Sequence, residues 1–201
     1  MRFLALGDSY TIGEGVSDAE RWPNQLATML RDAGVSVEDP HIIARTAWTT
    51  DELADAIAAE KPSGPFDLVS LLVGVNDQYR GRPIAAFESE FTVLLRRAAS
   101  LAGRRKSRIV VIAIPDWGAS PFAAGRDRVL ISREIAAYNA RARELTTASR
   151  GRWVDITDAS RRMLDDASMI AADGLHPSGK MYGEWARIIL PTALDAVRAR
   201  R

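Results

Sequence analysis

Apolar residues fall along this chain in two alternating textures: short unbroken runs, and longer stretches in which they recur every three or four positions. Phe3 to Leu6 is a short run stopped by Gly7. Trp22 to Ala33 is periodic at helical spacing and ends at Gly34, a common helix stop. Val35 to Ala44 is a weaker strand candidate, interrupted by Pro40. Thr49-Thr50-Asp51-Glu52 has the Ser/Thr-x-x-Glu spacing of a capping box, which predicts a helix to Glu60 before Lys61-Pro62-Ser63-Gly64-Pro65 breaks it. Phe66 to Val73 is almost wholly apolar, as suits a strand buried on both faces. Pro83 fits the first turn of a helix, where its missing N–H would be unpaired in any case, and that helix runs to Ala102 and stops at Gly103. Arg108 to Ile114 is rich in β-branched residues and is the clearest strand. Val129 to Ser149 predicts a long helix ending at Gly151, Trp153 to Ile156 a short last strand, and Lys180 to Ala199 a last helix bent or broken at Pro191.

Strands separated by helices mean βαβ units, hence an α/β chain with a parallel sheet covered on both faces. No internal repeat, low-complexity tract or linker interrupts it, so a single domain over residues 1–201 is expected. The stretch Pro115 to Asp127 is longer than the roughly 2–6 residues usual for such connections. Long loops leaving the carboxyl ends of parallel strands tend to line ligand sites.

Composition narrows the function classes. With 47% hydrophobic residues the chain can bury a substantial core. Lys+Arg is 27 and Asp+Glu 26, a net charge of +1, which gives no sign of nucleic-acid or membrane-surface binding. The basic stretch Arg104 to Arg108 has no interleaved aromatics and reads as a solvated helix exit. There is no cysteine, so disulfides and thiolate metal sites are excluded, and with two histidines, His41 and His176, no histidine-rich metal site is expected. No apolar run reaches the roughly 18 residues of a membrane span, and Met1 to Leu6 is too short for a signal-peptide core. A cytoplasmic location is expected; secretion with a removed leader stays compatible. The oligomeric state is not readable.

Three motifs carry chemistry. Gly7-Asp8-Ser9-Tyr10 follows the first strand, and a serine at a strand exit becomes a nucleophile when a neighbouring base takes its proton. Taken alone, a Gly-Asp-Ser turn is the favoured reading. Asp173-Gly174-Leu175-His176-Pro177-Ser178 offers a histidine with a carboxylate three residues upstream, the pairing a serine hydrolase needs. Without Ser9, an ordinary helix entry with Ser178 as cap is the better reading. Gly74-Val75-Asn76-Asp77 follows the strand ending at Val73, and Asn is a neutral donor of two N–H groups able to stabilise an oxyanion. All three fall at strand exits, where a doubly wound sheet gathers them. No Gly-x-Ser-x-Gly elbow is present, which disfavours the usual α/β-hydrolase arrangement, and no Gly-rich phosphate loop supports a nucleotide binder.

Together these motifs resemble blocks I, III and V of the SGNH, or GDSL-type, hydrolases, in the same order and over nearly the whole chain. The resemblance implies a flavodoxin-like three-layer α/β/α sandwich with a five-stranded parallel sheet. It implies Ser9 as nucleophile, His176 as base and Asp173 as the residue orienting it. It implies an oxyanion hole from the Ser9 N–H, the Asn76 side chain and the backbone N–H of a block II glycine. In block I, Tyr10 stands where many members have Leu. Block II is similar to Arg45-Thr46-Ala47-Trp48-Thr49-Thr50, with Ala47 in the glycine's place and no glycine between Gly34 and Gly64 to substitute. Alanine keeps the N–H; if the position needs positive φ, its Cβ costs about 1–2 kcal/mol.

The reaction implied is hydrolysis of carboxylic esters, with short acyl or acetyl esters expected, through an acyl-enzyme and without metal or organic cofactor. The partner is then a small-molecule ester, and neither nucleic acid nor a membrane span is expected. A non-catalytic module binding a small molecule or carbohydrate on the same fold is the rival. Trp48, Tyr79, Trp117 and Phe122 are candidates to line a substrate cleft, and aromatics there are as often simple packing. Asp8 and Asp77 are expected to cap or tie loops, and His41 to be structural or exposed.

Overall fold

The short apolar runs become five strands: β1 (Phe3–Gly7), β2 (His41–Ala44), β3 (Leu68–Leu72), β4 (Ile109–Ile112) and β5 (Arg152–Val154). They form one sheet in the order β2-β1-β3-β4-β5, every pair parallel, in a computed structural model that describes residues 1–198. Every residue of β1, β3 and β4 is buried, which is why these strands read as continuous apolar sequence rather than as alternation.

The helices are α1 (Ser9–Ile12), α2 (Trp22–Asp32), α3 (Thr50–Glu60), α4 (Val75–Tyr79), α5 (Ile84–Leu101), α6 (Arg128–Ala148), α7 (Thr157–Arg161) and α8 (Gly179–Arg198). The β1-to-β2 connection moves one way along the sheet, whereas those from β2 through β5 move the other way. Right-handed crossovers therefore place α2 on one face and α3, α5 and α6 on the other. The contacts agree: α8 returns to pack on α2, while α3 packs on α5 and α5 on α6. The result is a flavodoxin-like three-layer α/β/α sandwich. Its core runs through Phe3, Leu4, Leu6, Trp22, Leu26, Phe87, Phe91, Tyr182 and Trp185, all with at most 1% exposure.

Strand order reverses between β1 and β3, and such a switch point opens a crevice at the carboxyl ends of the two strands. Register brings the ends level there: Gly7 lies opposite Leu72 on one side and Ala44 on the other. Gly7 has to be glycine, because a Cβ there would sit 2.1 Å from Thr11 Oγ1 and 2.5 Å from the Leu72 carbonyl oxygen.

Several elements depart from the sequence expectation. Only His41–Ala44 of the Val35 to Ala44 stretch is a strand; Pro40, with no N–H to give a ladder, stands immediately before it. The last strand is shifted to Arg152–Val154, leaving Ile156 as the residue that leads into α7. Helix α8 is not broken at Pro191. Pro191 and Arg187, whose carbonyl loses its partner, lie on the exposed side, while Trp185, Ile189, Ala193 and Ala196 stay buried on both sides of the proline. Packing of that face outweighs one missing hydrogen bond. Ala199, the expected end of this helix, lies outside the described residues. The Pro115 to Asp127 stretch holds two short 3₁₀ turns, Trp117–Ala119 and Pro121–Ala123. Among the described residues no helix is long and apolar enough to cross a membrane.

Candidate active site

Ser9 is the first residue of α1, placed two positions beyond the end of β1. Asp8 caps this one-turn helix: its Oδ1 accepts the Tyr10 N–H at 3.0 Å, and Gly13 closes the turn in the left-handed region at φ 74°. The Ser9 N–H has no protein partner among the described residues. The residue is 4% exposed and lines a cavity of about 200 Å³.

Asn76 is the second residue of α4, four positions past the end of β3. The preceding Gly74 turns the chain at φ 128°, and a Cβ there would meet the Phe87 ring at 2.7 Å. The Asn76 Nδ2 donates to the Trp48 carbonyl at 2.9 Å. An amide nitrogen carries two hydrogens, so one fixes the side chain and one is left for the cavity that Asn76 also lines.

Ala47 takes φ 70°, the conformation that favours glycine. It sits third in a turn closed by the Trp48 N–H donating to the Arg45 carbonyl at 3.3 Å, the position at which a type II turn demands positive φ. The strain that sequence reasoning made conditional is therefore present, at about 1–2 kcal/mol. Two contacts hold it: Arg80 Nη2 donates to the Ala47 carbonyl at 2.6 Å, and Asn76 holds the next carbonyl along. The Ala47 N–H, like that of Ser9, has no protein partner among the described residues, and Ala47 lines the same cavity.

The opposite wall comes from the loop before α8. Asp173 builds it twice over. Its Oδ1 accepts the backbone N–H groups of Leu175 and His176, each at 2.9 Å, and its Oδ2 lies 2.6 Å from His176 Nδ1. Gly174 makes the tight turn at φ 72°, and the Ala171 N–H donates to the His176 carbonyl at 2.8 Å. Burial pushes the Asp173 carboxyl up, but the hydrogen bonds from the His176 ring and the two backbone N–H groups outweigh it, so its pKa lies below the usual value. Asp173 is thus ionised at neutral pH and fixes the ring with Nδ1 occupied. Nε2 is left without a protein partner among the described residues, and His176 lines the cavity together with Ser9. No hydrogen bond joins the Ser9 hydroxyl to the ring among the described residues; catalytic hydrogen bonds are often long until substrate is bound. Ser178 is also the helix cap that the sequence suggested, its Oγ accepting the Met181 N–H at 3.3 Å.

Tyr10 has a part that its position in the motif did not announce. Its ring centroid lies 5.3 Å from that of the His176 imidazole and 6.1 Å from Trp185, so the histidine is held from behind by a buried aromatic. Burial pushes the Tyr10 hydroxyl up, keeping it neutral. Thr46, Val75 and Leu175 also line the cavity without having been singled out, since small and apolar loop residues carry no sequence signal of their own. Tyr79, Trp117 and Phe122 line it as expected. Trp48 does not: its side chain packs against the core, and its contribution is the carbonyl that anchors Asn76.

The remaining carboxylates serve the scaffold. Asp77 Oδ2 accepts the Thr50 N–H at 3.1 Å and Oδ1 the Thr50 hydroxyl at 2.8 Å, which ties the α4 turn to the start of α3. Thr49 and Glu52 form the predicted capping box. Asp51, Asp77 and Glu90 converge, and the cation they share is the Arg82 guanidinium, at 2.6, 3.0 and 2.7 Å respectively. Burial, reinforced by the charge of Asp77, lifts the Asp8 carboxyl to about 8, so it is neutral at pH 7, with Oδ2 unpartnered. His41 is exposed and pairs with Glu60 at 2.5 Å.

Residues 5–183 match the GDSL-like lipase/acylhydrolase family. No curated protein sequence matches the chain. Among solved structures it is similar to a lipase/acylhydrolase from Enterococcus faecalis, at 20% identity and TM-score 0.74, covering 100% of both chains. It is also similar to Axe2, an acetylxylan esterase from Geobacillus stearothermophilus, at 18% identity and TM-score 0.71 over 99% of this chain and 97% of that one. A third is the psychrotrophic esterase EstA from Pseudoalteromonas sp., at 15% identity and TM-score 0.70 over 98% and 97%. At these identities the structures bear on the fold.

Proposed function

The chain belongs to the GDSL-like lipase/acylhydrolase family and is a carboxylic ester hydrolase, and from that premise we propose that Ser9, His176 and Asp173 act as its catalytic triad on short acyl esters. His176 Nε2 takes the Ser9 proton as the hydroxyl attacks the ester carbonyl. Asp173 holds Nδ1 and stabilises the imidazolium that forms. The oxyanion is received by the free N–H groups of Ser9 and Ala47 and by the Asn76 amide hydrogen not taken by Trp48. The alcohol leaves with the proton from His176. Water, deprotonated by the same nitrogen, then releases the acid from Ser9.

The observation that supports this most is the 2.6 Å Asp173–His176 pair, with its free Nε2 sharing one cavity with Ser9 and Asn76. A binding module would have no need of an ionised carboxylate holding a histidine in one tautomer beside a serine. The small, largely apolar cavity favours short acyl groups, each buried methylene contributing about 0.8 kcal/mol until the wall is reached. Initial rates on a 4-nitrophenyl ester series from acetate to long chains test the reading, with Ser9→Ala beside the parent. We expect a maximum at short acyl length and loss of turnover by roughly 10⁴-fold or more in Ser9→Ala. Unchanged turnover in Ser9→Ala would remove the nucleophile assignment.

A further inference from the structure

Three rings on the cavity wall carry a cation of the protein's own. Tyr79 at the end of α4 and Trp117 and Phe122 on the loop after β4 pack on one another, with ring centroids 5.4, 6.4 and 6.1 Å apart. The Arg126 guanidinium carbon lies 5.5 Å from the Tyr79 and Trp117 centroids and 5.1 Å from that of Phe122. All three distances are within the roughly 6 Å reach of a cation–π interaction. The rings are anchored from behind: Trp117 Nε1 donates to Gln78 Oε1 at 2.8 Å, and Gln78 Nε2 donates to Glu134 at 2.7 Å. Arg126 itself is exposed and makes only one side-chain hydrogen bond, a long one of 3.4 Å to the Tyr79 hydroxyl; no carboxylate pairs with it among the described residues. Other charges near the mouth are engaged. Glu14 accepts from Thr46, and Arg80 is held by the Ala47 carbonyl and, at 3.4 Å, by Glu52. The residues lining the cavity include no Lys, Arg, Asp or Glu.

We propose that Arg126 is a specificity-determining residue, held by these rings beside the cavity so that its free N–H donors favour esters bearing a second, anionic group such as a remote carboxylate. This rests on the ester-hydrolase reading above. The rings hold the guanidinium and leave its outer donors to water, and a planar fork of donors matches a carboxylate in bidentate fashion. The apolar wall takes the carbon chain between the ester and the charge.

The test compares kcat/KM for mono-4-nitrophenyl adipate with that for 4-nitrophenyl hexanoate, a pair differing in the terminal carboxylate. The ratio should fall about two- to fivefold in Arg126→Ala, further in Arg126→Glu, and less in Arg126→Lys. In the parent it should fall as salt is raised. A ratio unmoved by these variants, with hexanoate still hydrolysed, overturns the role of Arg126 and leaves the hydrolase intact. The competing use of the rings, once Arg126 is gone, is to receive a cationic substrate. An Arg126→Ala enzyme that gains on the 4-trimethylammoniobutyrate ester while the adipate ratio stays put gives that result and also overturns the proposal. A parent that hydrolyses neither ester overturns the hydrolase reading and this inference with it.

Discussion

The two walls of the cavity are held by different means. Ser9 and Asn76 stand just beyond the ends of β1 and β3, adjacent central strands whose residues are all buried. Their positions come from sheet register and from glycines whose Cβ would collide with the core. Asp173 and His176 stand on a loop, with the Asp173 side chain 38% exposed, and their geometry comes from Asp173's own hydrogen bonds. A side chain on the strand wall can therefore be shortened without disturbing the strands that carry it. On the loop wall the orienting residue is also part of the scaffold, so chemistry and local order fall together.

The largest effect that sharpens this contrast is at Asp173. Asp173→Asn should lower kcat by about 10³- to 10⁴-fold, because an amide no longer fixes the tautomer or balances the imidazolium. Hydrogen exchange at residues 171–178 should speed up in that variant, whereas Ser9→Ala should leave exchange around β1 unchanged. Equal protection in both variants would erase the distinction. Next comes Asn76→Ala, expected to lose roughly 10²- to 10³-fold in kcat. The Trp48 carbonyl is released at the same time, but β1 and β3 keep their register, so the thermal midpoint should move little.

A smaller effect tests how the strand wall keeps Ala47 in a glycine conformation. Arg80→Ala should lower kcat several-fold by freeing the Ala47 carbonyl, with KM nearly unchanged. In an Ala47→Gly background the same change should matter less, because glycine takes φ 70° without being held. Ala47→Gly alone should stabilise the protein by up to ~1 kcal/mol, strain relief being partly offset by the greater freedom of glycine in the unfolded chain. Strictly additive losses in the double variant would contradict the role given to Arg80.

The last effect is on stability rather than rate and concerns the buried carboxyl beside Ser9. Asp8 has its pKa raised from 3.8 to about 8 by burial, so the folded protein keeps a proton that the unfolded chain gives up. Stability from this group is complete below pH 3.8 and is lost as pH rises toward 8. Denaturant unfolding across pH 5 to 8 should show a downward slope in the parent that is reduced in Asp8→Asn. An identical slope in both would place the ionisation elsewhere.

Much of the frame is readable in the sequence for a physical reason: strands buried on both faces, such as β3 and β4, leave continuous apolar runs, and Thr49 with Glu52 spells out a helix start. The three reactive motifs are visible because each sets residues with specific chemistry in a turn; two of the turns leave strands β1 and β3, whereas the Asp173 to Ser178 motif, expected at a strand exit, lies instead in the loop before α8, with α7 between it and β5. What escaped is local or tertiary. α1 and α4 are too short to show a period, and α8 survives Pro191 because of a packed face that no local propensity reports. The conformation of Ala47 was conditional, since only a backbone angle decides it. Arg80 and Arg126 look like any solvated cation in the chain, and only the fold shows one holding the Ala47 carbonyl and the other standing over three rings.

If the triad reading is right, the two walls meet in one reaction at Ser9. A fluorophosphonate probe tests it most directly, read by mass spectrometry of the parent, Ser9→Ala and His176→Ala. The expected result is a single adduct on Ser9, none in Ser9→Ala, and labelling slowed by orders of magnitude in His176→Ala. Labelling of Ser9 at the parent rate without His176, or an adduct on another serine, would contradict it.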